Sequence, residues 1–232
     1  MTRFRIVELR RGTARPFGPN GELSAIDKQP VAGAVQVTAT GMEGDEQGDP
    51  RHHGGPDKAL HAYSVAHYPW WQGELPRVAE RFRPGAFGEN LVVEGVTEGD
   101  LCLGDLWQLG EVTLQLSQSR QPCWKLNTRF ATTDMARRVQ DSGRTGWYFR
   151  VLTPGELRAR AEARLIERPH PDWPLTRIWD VLYRDTLNTV ALRELAILPR
   201  LPERWQSLAQ NRLKRREVED WSRRLNAPES GF

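Results

Sequence analysis

A cysteine lies among positively charged residues near the middle of this sequence. Cys123 is three residues after Arg120 and two residues before Lys125. Pro122 restricts the backbone immediately ahead of it. Nearby cations favour the thiolate, which is the form that attacks electrophiles, binds soft metals and accepts sulfur. Cys123 is therefore the first candidate for chemistry, although a lone cysteine is more often a small buried apolar residue, as we expect for Cys102.

A second candidate segment is rich in glycine and histidine. It contains His53, Gly54, Gly55 and Lys58. Adjacent glycines let the backbone approach a ligand closely, and their N–H groups can line an anion pocket. Lys58 and His53 would add positive charge to such a pocket. A surface loop in which the same residues form turns explains the segment equally well, and the sequence leaves both interpretations open.

Further polar residues lie where strand-like segments begin or end. Lys28 ends one such segment, where its side chain can point into the mouth of a barrel, and Asp45 lies in a polar stretch with two glycines, residues 41–46. Asn90 precedes a strand and can form two hydrogen bonds with one ligand. Arg150 has no acidic neighbour in the sequence. Each has an ordinary alternative: a solvated lysine, a turn or bulge, or an arginine at a sheet edge.

The elements that must position these residues are mostly short β-strands. Residues 112–116 alternate between apolar and polar side chains, which is typical of a strand with one buried face. Glycine-containing turns separate the strands, and two short helices are predicted at residues 65–72 and 132–140. This pattern predicts a mainly β fold, a barrel or a sandwich, for the first 168 residues. The strand-like segments are residues 5–9, 35–40, 90–93, 106–109, 112–117 and 148–152.

The composition changes towards the C-terminus. Residues 169–174 contain three prolines and are predicted to form a linker. Apolar residues then recur at helical spacing over residues 175–227, which predicts a small domain of three short helices. A frayed tail is predicted over residues 228–232.

Composition excludes several classes of protein. The 232 residues are 38% hydrophobic and 27% charged, and no apolar run approaches the length of a membrane span. The first residues lack the apolar core of a signal peptide, and two cysteines are too few for a disulfide framework. The net charge of +3 is too small to indicate a nucleic-acid partner. We expect a cytoplasmic protein with no membrane and no nucleic-acid partner.

Taken in order, the candidate segments resemble the MOSC-domain superfamily, named after the C-terminal domain of molybdenum-cofactor sulfurases. Within it they are most similar to the branch linked to hydroxylaminopurine resistance, which carries a C-terminal three-helix domain. The segments that carry the resemblance are SAI at 24–26 with Lys28, GD at 44–45, HGGPDKA at 53–59, FGEN at 87–90, RQPCWK at 120–125 and GWYFRV at 146–151.

The resemblance implies a β-barrel whose mouth binds a molybdenum cofactor, with Cys123 as the metal ligand. It further implies reduction of N-hydroxylated compounds, in which Cys123, Lys28 and Asp45 are the catalytic candidates and Lys28 is the preferred proton relay, with His53 another possible donor. The implied cofactor-binding residues are His53, Gly54, Gly55, Lys58, Asn90, Arg120, Lys125 and Arg150.

Two questions of mechanism and partners follow from this resemblance. The chain has no glycine-rich nucleotide fingerprint after a strand, so its electrons are expected from a separate flavoprotein. A sulfur carrier that uses a Cys123 persulfide is the alternative function.

The basic run at residues 212–216 could imitate a DNA-binding helix, but acidic residues follow it at once, and we expect no such binding. The C-terminal helices are expected to pack on the barrel, to form a homodimer or to dock the reductase.

Overall fold

Seven strands close into a β-barrel in the computed structural model, which describes residues 2–228. The strands of the described chain are β1 (Arg3–Arg11), β2 (Arg15–Pro16), β3 (Leu23–Ser24), β4 (Gln29–Pro30), β5 (Ala34–Thr38), β6 (Gly41–Met42), β7 (Leu60–Ser64), β8 (Leu91–Glu94), β9 (Leu106–Leu109), β10 (Val112–Ser119), β11 (Trp147–Thr153), β12 (Gly155–Arg158) and β13 (Glu162–Glu167). Around the barrel the order is β1, β13, β9, β10, β11, β7 and β8, and β8 pairs with β1 again. Neighbouring strands are antiparallel except β7 and β8, which are parallel.

Alternating side chains explain how the strands form a closed core. In β1, Phe4, Ile6 and Leu9 are buried, while Arg3 and Arg5 face solvent. The change of phase between Ile6 and Leu9 coincides with a register shift in the pairing of β1 with β8. The predicted mainly β fold is confirmed.

Large aromatic residues fill the barrel. The ring of Phe4 lies 4.8 Å from the ring of Trp107, and Phe149 stacks on Phe4 at 6.2 Å. Trp107 and Phe149 are fully buried. A second apolar cluster, which includes Trp71 and Phe130, lies under the short helices of the barrel region.

Eight α-helices accompany the strands in residues 2–228. They are α1 (Pro50–His53), α2 (His67–Glu74), α3 (Lys125–Phe130), α4 (Met135–Ser142), α5 (Leu175–Tyr183), α6 (Thr189–Ile197), α7 (Glu203–Arg215) and α8 (Ser222–Leu225). The helices predicted at 65–72 and 132–140 correspond to α2 and α4, and Gly143 ends α4 in the left-handed conformation. Helix α3, directly after the candidate cysteine, was not predicted.

The C-terminal helices pack on the barrel. Leu175, Ile178 and Leu182 of α5 belong to the same apolar core as Trp107. Before α5, the proline-rich segment is tied to the barrel, because the Leu103 N–H donates to the carbonyl oxygen of Trp173 at 3.0 Å. The predicted division into domains at 168 and 175 therefore falls between two parts that share one core.

Two predictions concern membranes and the chain end. No helix within residues 2–228 is both long enough and apolar enough to cross a membrane. Most of the frayed tail predicted over 228–232 lies outside the described residues.

Candidate functional site

A cleft of about 580 Å³, measured to its open mouth, lies where several barrel strands end. Cys123 lines it from the segment between β10 and α3. Other parts of its lining come from the loops that precede β4 and β8 and the loop that follows β6. The sequence-predicted residues in its lining are Lys28, Asp45, His53, Lys58, Asn90, Arg120, Cys123 and Lys125.

The Cys123 thiol is half-buried in this cleft. Strand β10 ends at Ser119, and the N–H of Arg120 donates to the carbonyl oxygen of Gly146 on the neighbouring chain segment. Helix α3 begins two residues beyond the cysteine, so the thiol is carried on a short connection with fixed ends. Its Sγ lies 4.0 Å from Nε2 of His53.

Three cationic residues, Lys58, Arg120 and Lys125, line the cleft together with Cys123. Arg120 and Lys125 are buried, and Lys125 Nζ donates to the carbonyl oxygen of Leu23 at 2.6 Å. Burial, together with the nearby Arg204 of α7, lowers the pKa of Lys58 to about 8. The cleft lining contains the cations Lys28, Lys58, Arg120 and Lys125 against the acids Asp45 and Glu46, so the cleft favours an anionic ligand.

The same charges keep His53 neutral. Burial, together with repulsion of the protonated ring by Lys125, Lys58 and Arg120, lowers the pKa of His53 to about 3. At neutral pH this imidazole therefore has one N–H and one lone pair, and its Nε2 either donates to the Cys123 sulfur or accepts from it, depending on the tautomer.

Lys28 and Asp45 form a buried ion pair in the cleft wall. Lys28 Nζ donates to the Asp45 carboxylate, which also accepts from the Gly12 N–H and from Asn90 Nδ2, both at 2.8 Å. Burial lowers the pKa of Lys28, and the Asp45 charge opposes this lowering. The two residues therefore share a proton network that reaches the cleft.

The Asn90 side chain makes its hydrogen bonds within the protein. Its Oδ1 accepts from the His61 N–H at 3.1 Å, and its Nδ2 donates to Arg10 O at 3.2 Å as well as to Asp45. Asn90 lines the cleft, but its contacts join the strands that form the wall. Ligand binding by its amide stays a prediction.

Three predicted cofactor-binding residues lie outside the cleft lining. Arg150 Nε donates to Asp57 at 2.6 Å, so Arg150 has an acidic partner although it has no acidic neighbour in the sequence. The partner is 93 positions away in the sequence, and only the fold brings it close. Gly54 ends α1 by donating its N–H to Pro50 O, and Gly55, at a φ of 93°, starts the turn that carries Lys58.

His61 and Tyr148 also line the cleft and were not predicted. Burial and the Arg120 charge lower the pKa of His61 well below its usual range. Burial raises the pKa of Tyr148, against the effect of Arg120. Every residue of β7 is buried, so alternation along the strand does not reveal that His61 faces the cleft.

Two buried polar atoms of the cleft residues are unpaired within residues 2–228. They are Nη1 of Arg120 and Nε2 of His61. Buried polar atoms are almost always hydrogen-bonded, so the unpaired Nη1 of Arg120 in the cleft wall indicates a polar ligand, whereas Nε2 of His61 lies against the backbone at Gly146. No group of three or more His, Cys, Asp or Glu side chains in the described chain could hold a metal ion. A metal at Cys123 would therefore need further ligands from a cofactor or from solvent.

The fold and the site define a closed β-barrel that carries a thiol in a cationic cleft and continues into C-terminal helices. Two family models match the chain: the MOSC domain over residues 49–164 and the YiiM-like 3-alpha helix domain over residues 173–216. The chain belongs to the MOSC-domain family, in the branch that carries the YiiM-like helical domain, as its sequence motifs predicted.

Similar proteins extend over most of the chain. Protein YiiM of Escherichia coli (strain K12) is 38% identical over 207 residues, which cover 89% of this chain and 92% of YiiM. The crystal structure of YiiM from Escherichia coli superimposes with a TM-score of 0.83 at 32% identity and covers 98% of this chain and 100% of that one. A protein of Gibberella moniliformis named "Reductase" is 36% identical over 90% of this chain, but this match covers only 37% of that longer protein.

Proposed function

We propose that this protein is a molybdenum-cofactor-dependent reductase of N-hydroxylated compounds that receives electrons from a separate flavoprotein. The observation that carries the proposal is a half-buried thiol, Cys123, in one cleft with Lys58, Arg120 and Lys125. Membership of the MOSC-domain family supports it. So does the name of the fungal relative, "Reductase", in which the matching region is part of a longer chain.

The residues present fit such a cofactor. Thiolate is a soft ligand that suits molybdenum, and Cys123 is the cysteine of the cleft. A pyranopterin carries a phosphate and many polar atoms, which need cationic and N–H donors. Lys58, Lys125 and the unpaired Nη1 of Arg120 supply cationic donors in the cleft.

When bound, the cofactor would supply the two electrons that an N–O bond takes up on cleavage. Two protons are also consumed, and the products are water and an amine or amidine. The protein's part is to bind the substrate beside Cys123 and to deliver protons. A cleft between loops at one end of the barrel suits a small substrate rather than a polymer.

Two lysines are placed to supply protons. Lys28 is the proposed relay, because its Nζ is held on the Asp45 carboxylate inside the cleft wall and burial has lowered its pKa. Lys58 is a second donor, because a pKa of about 8 lies close to neutral pH, where a general acid works best. His53 is neutral at pH 7 and can orient the Cys123 sulfur rather than donate strongly.

The proposal is tested by assaying the protein, purified from cells that make molybdenum cofactor, with a chemical reductant and hydroxylaminopurine. Cys123→Ala should abolish turnover. Cys102→Ala is the matched control and should retain it, because the Cys102 thiol is buried against Pro171 O at 3.5 Å, away from the cleft lining. Equal loss in both variants contradicts the assignment of the site. Sulfane sulfur on Cys123 without reductase activity would indicate a sulfur carrier instead.

A further inference from the structure

The last helix of the described chain contacts the cysteine-bearing segment directly. Helix α8 (Ser222–Leu225) lies beyond residue 216, where the match to the helical family model ends. Neither family match extends over it. Its residue Arg224 is half-buried, whereas the preceding Arg223 is exposed.

Arg224 forms one hydrogen bond with the residue before Cys123 and one with the residue after it. Its backbone carbonyl oxygen accepts from the N–H of Trp124, the residue after the cysteine, at 2.7 Å. Its guanidinium Nη1 donates to the carbonyl oxygen of Pro122, the residue before the cysteine, at 2.5 Å. One residue thus fixes the backbone on both sides of the thiol, and the second bond is charge-assisted.

The second terminal nitrogen of the Arg224 guanidinium is anchored to the barrel region. Nη2 donates to Oε1 of Gln140 on α4 at 2.5 Å, and Gln140 is fully buried. The guanidinium also lies 5.8 Å from the ring of Tyr183 on α5. An arginine held at a buried amide and at an aromatic ring has little freedom to leave the Pro122 carbonyl.

The residues around Arg224 strengthen the attachment. Leu225 is buried, and its carbonyl oxygen accepts from Nδ2 of Asn127 on α3 at 2.9 Å. Gln121 Nε2 donates to the Tyr183 hydroxyl at 3.2 Å. The segment 120–127 is therefore held from outside by the C-terminal helices at several points.

We propose that Arg224 is a positioning residue that holds the Cys123 segment in its place in the cleft, and that α8 is thereby part of the functional site. Barrel and C-terminal helices would then build the site together. The consequence for cofactor binding rests on the proposed function, whereas the effect on the Cys123 segment does not.

Hydrogen–deuterium exchange measured by mass spectrometry tests this inference on the full chain. In Arg224→Ala, exchange of the peptide covering residues 120–127 should become about tenfold faster, because the loss of one charge-assisted hydrogen bond corresponds to roughly that factor. Arg224→Lys retains the charge and one donor and should give an intermediate rate. Arg223→Ala removes the same charge from the neighbouring exposed position and should leave the rate unchanged.

Exchange of β10 distinguishes positioning from general stabilisation. If Arg224→Ala accelerates exchange of residues 112–118 as much as that of 120–127, the residue only stabilises the whole fold, and the proposal is overturned. Unchanged exchange of 120–127 overturns it as well. Should Arg224→Ala fail to fold, the comparison of Arg224→Lys with Arg223→Ala gives the same decision.

Molybdenum content separates this inference from the proposed function. If wild type binds molybdenum, Arg224→Ala should retain several-fold less of it than Arg223→Ala, and equal retention would contradict the role of Arg224 at the site. If wild type binds no molybdenum, the proposed function fails. Local loosening of residues 120–127 would then still support the positioning of Cys123 by Arg224.

Discussion

Acid should destabilise this protein through His61. The ring is buried in the cleft wall, and burial and the Arg120 charge lower its pKa well below the usual 6.5. The unfolded chain therefore binds a proton below pH 6.5 that the folded chain does not bind. Stability contributed in this way is present above pH 6.5 and is lost as the pH falls towards the folded-state pKa.

The size of this loss follows from the protonation equilibrium. Each pH unit below 6.5 costs about 1.4 kcal/mol for a group that is protonated only in the unfolded state. Between pH 7.5 and pH 5.0 the loss attributable to His61 is therefore about 2 kcal/mol. His53, whose pKa is lowered to about 3, adds a loss of the same sign to every variant that retains it.

Urea unfolding at pH 7.5 and pH 5.0 measures this contribution in cofactor-free wild type and His61→Gln. The fall in unfolding free energy on acidification should be about 2 kcal/mol smaller in the variant. Tyr63→Phe is the control: Tyr63 is also fully buried, and its pKa is raised well above 10, so its substitution should cost the same at both pH values. An equal acid-induced fall in wild type and His61→Gln would refute the reasoning.

Two further substitutions test how much the buried charges of Lys28 and Arg212 contribute to the stability of the fold. Lys28→Met leaves the Asp45 carboxylate without its cation and should lower the unfolding free energy by about 3 kcal/mol in urea unfolding at pH 7. A change below roughly 1 kcal/mol would show that the hydrogen bonds from Gly12 and Asn90 are enough to stabilise the buried carboxylate. Arg212→Met removes a fully buried guanidinium that donates to Val181 O, Leu182 O and Glu219, and it should cost a similar amount, about 3 kcal/mol, in thermal or urea unfolding. An unchanged melting temperature would contradict this role of Arg212 in joining α7 to α5.

Local patterns in the sequence were sufficient to predict a mainly β fold followed by helices, but they left a barrel and a sandwich both open, and the motif resemblance indicated the barrel. Alternation in β10 and glycine turns between strands reflect a sheet with one buried face, and helical spacing after residue 174 reflects helices packed on a core. The motif resemblance added the family, which the comparisons confirm.

The site was predictable only in part, because its contacts join residues far apart in the chain. The cationic surroundings of Cys123 are visible locally through Arg120 and Lys125. Arg150 pairs with Asp57, and α8 contacts the Cys123 segment, only because the chain folds back on itself. No local sequence pattern predicts either contact. The position of the His61 side chain in the cleft could not be predicted either, since every residue of β7 is buried and the strand shows no alternation.

The central claim is that the Cys123 thiolate holds molybdenum. The most direct test is the molybdenum content of purified wild type and Cys123→Ser, measured by elemental mass spectrometry. A ligand thiolate in the cleft predicts about one molybdenum per wild-type chain and almost none in the variant, since a serine hydroxyl is a hard and weakly acidic ligand. Equal molybdenum in both proteins, or none in wild type from cofactor-producing cells, would contradict the claim that Cys123 holds the metal.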